Sequence, residues 1–233
     1  MRGEWLRRVE AEYRSAAITQ HLTLWLIQIG ASPDLVRAGL RIAADEMAHA
    51  DLSHRTFVAA GGEGGPQLAR ESLELKRRPT EPLEHDVARA GVEVYCLGET
   101  VAVPLFKELR EPCSVPVARR ALDRILRDEV RHRDFGWALL GWLLEDGEQG
   151  MRDGLRALVV AELPRWFARL RASYAPPARG VERVVTPEER AWGLMPVSLY
   201  RAAVEKTITR DWEPRFARLG IDARRAWAAS DRV

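Results

Sequence analysis

The chain has 233 residues, 46% of them hydrophobic and 30% charged, with 36 basic and 34 acidic side chains and a net charge of +2. That is enough apolar material for a sizeable core in one or two domains, while the near-neutral balance argues against a nucleic-acid or membrane-surface role. Two cysteines, Cys96 and Cys113, are too few for a disulfide framework and match no zinc or redox spacing. The first residues lack the apolar stretch of a signal peptide, and no apolar run approaches bilayer length. A cytoplasmic protein is expected.

Apolar residues recur at three- and four-residue spacing through most of the chain, the pattern of long helices. The first helix is expected from about Gly3 to Gly30. The tetrapeptide Gly30-Ala31-Ser32-Pro33 then supplies a C-terminal glycine, an N-cap serine and a proline at the first helical position. A second helix runs from about Asp34 to Ala60 and stops at the glycines from Gly61 to Gly65. A polar connection with room for a short helical turn leads to helix three, Pro82 to Arg110, which Pro104 should bend. Helix four spans Val115 to Leu144. After a turn at Asp146-Gly147, helix five covers Glu148 to Tyr174 and carries Pro164. A loop from Ala175 to Glu188, holding Pro176, Pro177 and Gly180, precedes a last helical region from Pro196 to Gly220 and a short terminal helix. Long helix, turn, long helix, connection and the same again is the outline of an all-α, four-helix bundle with one long crossover and a C-terminal helical extension. Residues 1–145 form the bundle, and residues 146–233 are expected to pack on it within the same domain.

Two tetrapeptides have the form Glu-x-x-His: Glu46 to His49 in helix two and Glu129 to His132 in helix four. Residues three apart lie about 60° apart around a helix, so each pair projects from one face and can hold one ion. A single such match arises readily by chance; two in corresponding helices of the two halves are much less expected. Both lie within apolar stripes, Glu46 beside Leu35, Ile42, Ala43 and Phe57, and Glu129 beside Ala118, Leu122, Ile125 and Leu140. Burying a carboxylate and an imidazole there is costly without a partner, and a cation is a natural one.

The preceding helix of each half offers one more carboxylate. Glu12 shares its face with Trp5, Val9, Ala16 and Thr19, whereas Glu10 lines up with Arg7, Arg14 and Gln28. Glu99 shares its face with Val92, Tyr95, Cys96 and Val103, and Glu93 lies about 120° away. Glu12 precedes Glu46 by 34 residues and Glu99 precedes Glu129 by 30, in each case enough for an antiparallel hairpin to return to the same level. Four carboxylates and two imidazoles suit iron or manganese better than zinc.

An aspartate stands before each motif glutamate, Asp45 and Asp128. Metal-bound histidines usually donate the other ring N–H to an acceptor, and cross-helix pairing of Asp128 with His49 and of Asp45 with His132 is expected; a backbone carbonyl or a surface arginine in its place is the alternative. The other histidines read otherwise. His54 lies about 140° from His49, His21 points away from Glu12, and His85 is about 21 Å along the helix from Glu99. Tyr95 and Cys96, one turn from Glu99, fit either a core role or a place beside the ligands. The tryptophans read as packing, with Trp137, Trp142 and Trp166 fastening helix five to helix four.

In these six residues the chain resembles the ferritin-like di-iron and di-manganese carboxylate superfamily, in which two helices give one Glu each and two give Glu-x-x-His. The resemblance covers about Gly3 to Leu144 and is nearest to an uncharacterised bacterial branch. It rests on Glu12 to Ala17, Gly30-Ala31, Asp45-Glu46, Gly98-Glu99-Thr100 and Asp128 to Trp137, with Phe216 to Asp222 resembling that branch's C-terminal region. The resemblance implies two iron ions, with manganese or a mixed pair also allowed. They would be held by Glu12, Glu46, His49, Glu99, Glu129 and His132, with Glu46 and Glu129 bridging and Asp45, Asp128 and Tyr95 behind them. It implies a non-haem oxidoreductase that activates dioxygen or peroxide on a small substrate, with an external electron donor because no rubredoxin-type cysteine motif is present. No nucleic-acid or membrane partner is expected, and a homodimer is compatible with the reading. A non-enzymatic iron-binding or ferroxidase protein is the alternative, and a bundle whose buried polar residues merely pair with one another is a third.

Overall fold

The computed structural model describes residues 1–146, 148–174 and 182–232. Gly147, the segment 175–181 with Pro176, Pro177 and Gly180, and Val233 lie outside the described residues. Those described are helical or in connections, with no strand among them. No helix among them is long and apolar enough to cross a membrane. The chain divides into two compact units, residues 1–77, 106–128 and 185–195 in the first and 78–105, 129–184 and 196–233 in the second.

The first unit is built on a hairpin of α1 (Arg2–Gln28) and α2 (Pro33–Ala59). The turn between them follows from the sequence chemistry. Gly30 sits at φ 69°, in the left-handed region that glycine enters without penalty. The Ala31 N–H then bonds to the Leu26 carbonyl at 2.9 Å and the Gly30 N–H to that of Ile27 at 3.2 Å, which satisfies the last carbonyls of α1. Ser32 is the N-cap of α2 and Pro33 occupies its first turn, where a missing N–H costs nothing. The inner stripe of the hairpin is buried through Trp5, Val9, Ala16, Leu26, Ile42, Ala50 and Phe57.

The polar connection after α2 contains one helical turn, Arg70–Ser72, as the sequence allows. It is held to α1 by the Leu75 N–H, which donates to His21 Nδ1 at 3.1 Å. A short helix that the sequence reading leaves as loop and connection, α7 (Pro187–Ala191), also belongs to this unit. Thr186 and Glu189 cap it reciprocally, Glu189 N–H to Thr186 Oγ1 at 3.2 Å and Thr186 N–H to Glu189 Oε2 at 3.0 Å, the Thr-x-x-Glu box of helix starts. Trp5 Nε1 and Arg8 Nη2 then donate to the carbonyls of Trp192 and Gly193 at 3.1 and 2.8 Å.

In the region expected as one helix from Pro82 to Arg110, the structure has three pieces: α3 (Leu83–Ala90), a π-helical segment (Gly91–Glu99) and α4 (Thr100–Arg110). Two contacts inside the second unit account for the widened turns. Gly136 presses its bare backbone on this segment, so that a Cβ there would stand 2.8 Å from the carbonyl carbon of Tyr95 and 2.9 Å from the nitrogen of Cys96. The Trp212 indole donates to the Cys96 carbonyl at 3.0 Å, giving a partner to a backbone group that an ordinary α-helix would use internally. Helix α5 (Pro116–Glu145) agrees with the expected fourth helix, and α6 (Gln149–Tyr174) with the fifth.

The last helical region is likewise divided, into α8 (Val197–Thr207), a second π-helical turn (Ile208–Trp212) and α9 (Glu213–Arg218), and is followed by α10 (Ala223–Ala229). Trp212, Phe167 and Trp227 cluster with ring centroids 5.2–6.0 Å apart. Trp137 stacks edge-on against Phe216 at 4.8 Å and donates its indole N–H to Thr100 Oγ1 at 3.0 Å. It therefore ties α5 to α4 and α9.

Candidate metal centre

In the first unit α1 brings Glu12, and α2 brings Glu46 and His49, to one buried place. His49 is fully buried and Glu46 and Glu12 nearly so. One ligand atom from each lies within 4.8 Å of the others. His49 Nδ1 stands 3.5 Å from Glu46 Oε2 and 3.8 Å from Glu12 Oε2. Its other nitrogen, Nε2, is 3.1 Å from Asp128 Oδ2. A carboxylate only accepts, so with Asp128 ionised the proton sits on Nε2 and donates to it. In the neutral ring Nδ1 is then a lone pair aimed towards two carboxylates, the donor set of a cation site.

The register of the hairpin produces this convergence. Ser15 Oγ donates to Glu46 Oε1 at 2.9 Å, while Glu12 faces His49. Three residues forward on α1 correspond to three residues back on α2, so the two levels belong to one antiparallel pairing. Ser15 leaves Oε2 as the Glu46 oxygen nearer His49.

In the second unit the corresponding residues are Glu99, at the end of the π-helical segment, and Glu129 and His132 on α5. His132 is fully buried and Glu129 almost so. Glu129 Oε2 lies 3.7 Å from His132 Nδ1, and Glu99 and His132 each offer a ligand atom within 4.8 Å of the other. Tyr95, one turn before Glu99, is fully buried and packs edge-on against Phe135, ring centroids 4.9 Å apart.

Asp45 and Asp128 are both buried, and both are held by Arg124 of α5. Its Nη2 donates to Asp45 Oδ1 at 3.0 Å and its Nε to Asp128 Oδ2. These bonds raise the guanidinium pKa, that to Asp128 most and that to Asp45 after it. Sequence reasoning overlooked Arg124 and Ser15. Arg124 stands four residues before Asp128, a spacing that places two side chains on one helix face, so part of the signal was present. Its reach to Asp45 was not readable.

Neither cysteine offers a thiolate. Burial pushes the Cys96 thiol far above its ordinary range, and Cys113 is raised for the same reason. Cys96 Sγ donates to the Gly136 carbonyl at 3.2 Å. The remaining histidines lie in other settings: His21 accepts from the Leu75 backbone, His54 Nε2 is 3.5 Å from the Gly64 carbonyl, and His85 Nδ1 is 3.3 Å from Glu81 Oε2. Glu93 forms a two-point pair with Arg169 at 2.6 and 2.8 Å. Comparison of the sequence with family models and with curated proteins finds no match.

Proposed function

We propose that the chain is a ferritin-like protein that holds two metal ions, iron above all, and acts as an oxidoreductase activating dioxygen or peroxide on a small substrate. The single observation that carries this reading is the buried donor set of the first unit: Glu12, Glu46 and His49 within 4.8 Å of one another, with the far nitrogen of His49 on Asp128. The second unit supplies the same residue types in the same order, one Glu and then Glu-x-x-His. Asp128 and Glu129 are consecutive residues of α5, so the acceptor for one histidine is covalently next to a ligand of the other set.

The donor chemistry supports iron or manganese. All six side chains offer oxygen or imidazole nitrogen, the cysteines remain protonated, and Zn²⁺ generally takes fewer ligands, often thiolates. Glu12, Glu46, His49, Glu99, Glu129 and His132 would hold the ions. A pair of redox-active ions would supply the electrons that reduce an O–O bond.

The chain's own residues do the rest. Asp128 holds the proton of His49 at Nε2 and so keeps Nδ1 available as a donor. Ser15 directs one oxygen of Glu46 away from His49 and leaves the other near it. Val9, Ala16, Ile42, Ala43 and Ala50 exclude water from the inner faces of α1 and α2, which strengthens charge interactions there. The reducing equivalents for turnover would come from an external donor.

Metal analysis of protein produced with iron and manganese supplementation tests the proposal. About two ions per chain is the expected result; none after anaerobic Fe(II) reconstitution would contradict it. Two ions with single-turnover Fe(II) oxidation and no reaction across a panel of small substrates would favour an iron-handling protein over an oxidase.

A further inference from the structure

Both aspartates that precede the Glu-x-x-His motifs converge on one side chain. Arg124 reaches Asp45 on α2 through Nη2 at 3.0 Å and Asp128, one turn along its own helix, through Nε. Asp128 Oδ2 accepts from both Arg124 and His49. Asp45 is adjacent in sequence to Glu46, and Asp128 to Glu129. The Arg124 side chain is 39% exposed, while Asp128 and His49 are fully buried. A single guanidinium thus runs from solvent to the carboxylate that orients a candidate ligand.

We infer that Arg124 is a positioning residue for metal binding: by holding Asp45 and Asp128 together it fixes the Asp128 carboxylate against His49 Nε2 and so aims His49 Nδ1 at the ion. This rests on the metal-centre reading above. The planar guanidinium suits the role, because its nitrogens lie in a rigid fork and can engage two carboxylates at set angles. A lysine is a single point charge and reaches one carboxylate well. Without Arg124 the Asp128 carboxylate keeps its place in the helix and its 3.6 Å pair with Arg127, but Oδ2 loses the guanidinium that ties it to Asp45. The His49 ring, which shares Oδ2 as its acceptor, is then held less firmly about χ2. Changes to groups behind metal ligands typically weaken binding by about 10- to 100-fold.

The experiment compares wild-type protein, Arg124→Gln and Arg124→Lys by Co(II) titration. In parallel, ¹⁵N-histidine NMR of the metal-free proteins is recorded, with the His49 signals assigned through His49→Gln. Arg124→Gln should bind one Co(II) equivalent about 10- to 100-fold more weakly, with Arg124→Lys between it and wild type. Metal-free Arg124→Gln should keep its far-UV circular dichroism while the His49 ring-nitrogen shifts move away from those of a ring protonated at Nε2. Co(II) isotherms like wild type, or unchanged His49 shifts, would overturn the inference. Should wild-type protein take up no Co(II), the metal-centre reading fails, and the NMR comparison alone then decides whether Arg124 positions His49.

Discussion

Replacing Asp128 gives the most informative perturbation of the candidate centre. Its side chain is fully buried, and its Oδ2 accepts from His49 Nε2 at 3.1 Å and from Arg124. Asp128→Ala leaves two donors behind in unequal positions. Arg124, with 39% of its side chain exposed, can turn to water. The ring N–H of His49 is fully buried and cannot. A buried donor stripped of its acceptor costs about 1–3 kcal/mol, which for a chain of this size is about 2–12 °C in Tm. Asp128→Asn separates geometry from charge. Its carbonyl, placed where Oδ2 stands, can still accept from both His49 and Arg124, but the charge is lost and its amide then takes the Oδ1 position near Arg127 Nε, donor against donor. Metal-free thermal unfolding should therefore rank wild type above Asn, and Asn above Ala. Affinity for Mn(II) or Co(II) should fall by about 10- to 100-fold in the Ala variant. The exposed ion pair of Asp34 with Arg37 provides the control, since Asp34→Ala should change stability by no more than about 0.5 kcal/mol. An Asp128→Ala protein that melts and binds metal like Asp34→Ala would refute the role given to Asp128.

Glycine substitutions on α5 should have opposite signs. Gly136→Ala would drive a Cβ to within 2.9 Å of Tyr95 and Cys96 backbone atoms and should cost at least about 1–3 kcal/mol. Gly141, with nothing within 4 Å of an added Cβ, should be stabilised by alanine, by about 0.5–1 kcal/mol; urea unfolding of the two variants checks both. Trp212→Phe removes the donor to the Cys96 carbonyl and should cost about 1–3 kcal/mol, with amide exchange quickened in Gly91–Glu99 as the specific readout. Both thiols should resist iodoacetamide until the protein unfolds, as mass spectrometry of pulse-labelled samples would show. Burial raises the folded pKa of Cys96 above the unfolded value near 9.0. The contribution is therefore intact below that pH and is lost as pH rises above it. Unfolding free energy should decline more steeply above about pH 9 in wild type than in Cys96→Ala, and equal slopes would count against the raised thiol.

Much of the local structure was legible because it depends on local chemistry. Gly30, Ser32 and Pro33 place the α1–α2 turn within a residue or two. Face arithmetic on straight helices put Glu12 with Glu46 and His49, and the structure brings these three together. It also assigned Glu93 and Glu10 elsewhere, where the structure shows Glu93 on Arg169 and Glu10 accepting from the Gln67 backbone. The Thr186–Glu189 box was equally readable but went unread, so α7 was missed.

The remaining features required partners far away in sequence. The π-helical turns of Gly91–Glu99 accompany the close approach of Gly136 and the indole of Trp212, and neither leaves a mark on the local pattern. Those turns matter for the site because Glu99 ends them, so its direction follows from that irregular backbone rather than from an ideal 3.6-residue period. The same limit hid Arg124. Its spacing from Asp128 was visible, whereas its bond to Asp45, 79 residues away, depends on tertiary structure.

The central claim is that two ions bind, one to each histidine-bearing set. Anaerobic Fe(II) titration of wild-type protein, His49→Ala and His132→Ala tests it most directly. Two equivalents in wild type and one in each variant is the predicted result. A single equivalent in wild type, or both variants still binding two, would contradict it.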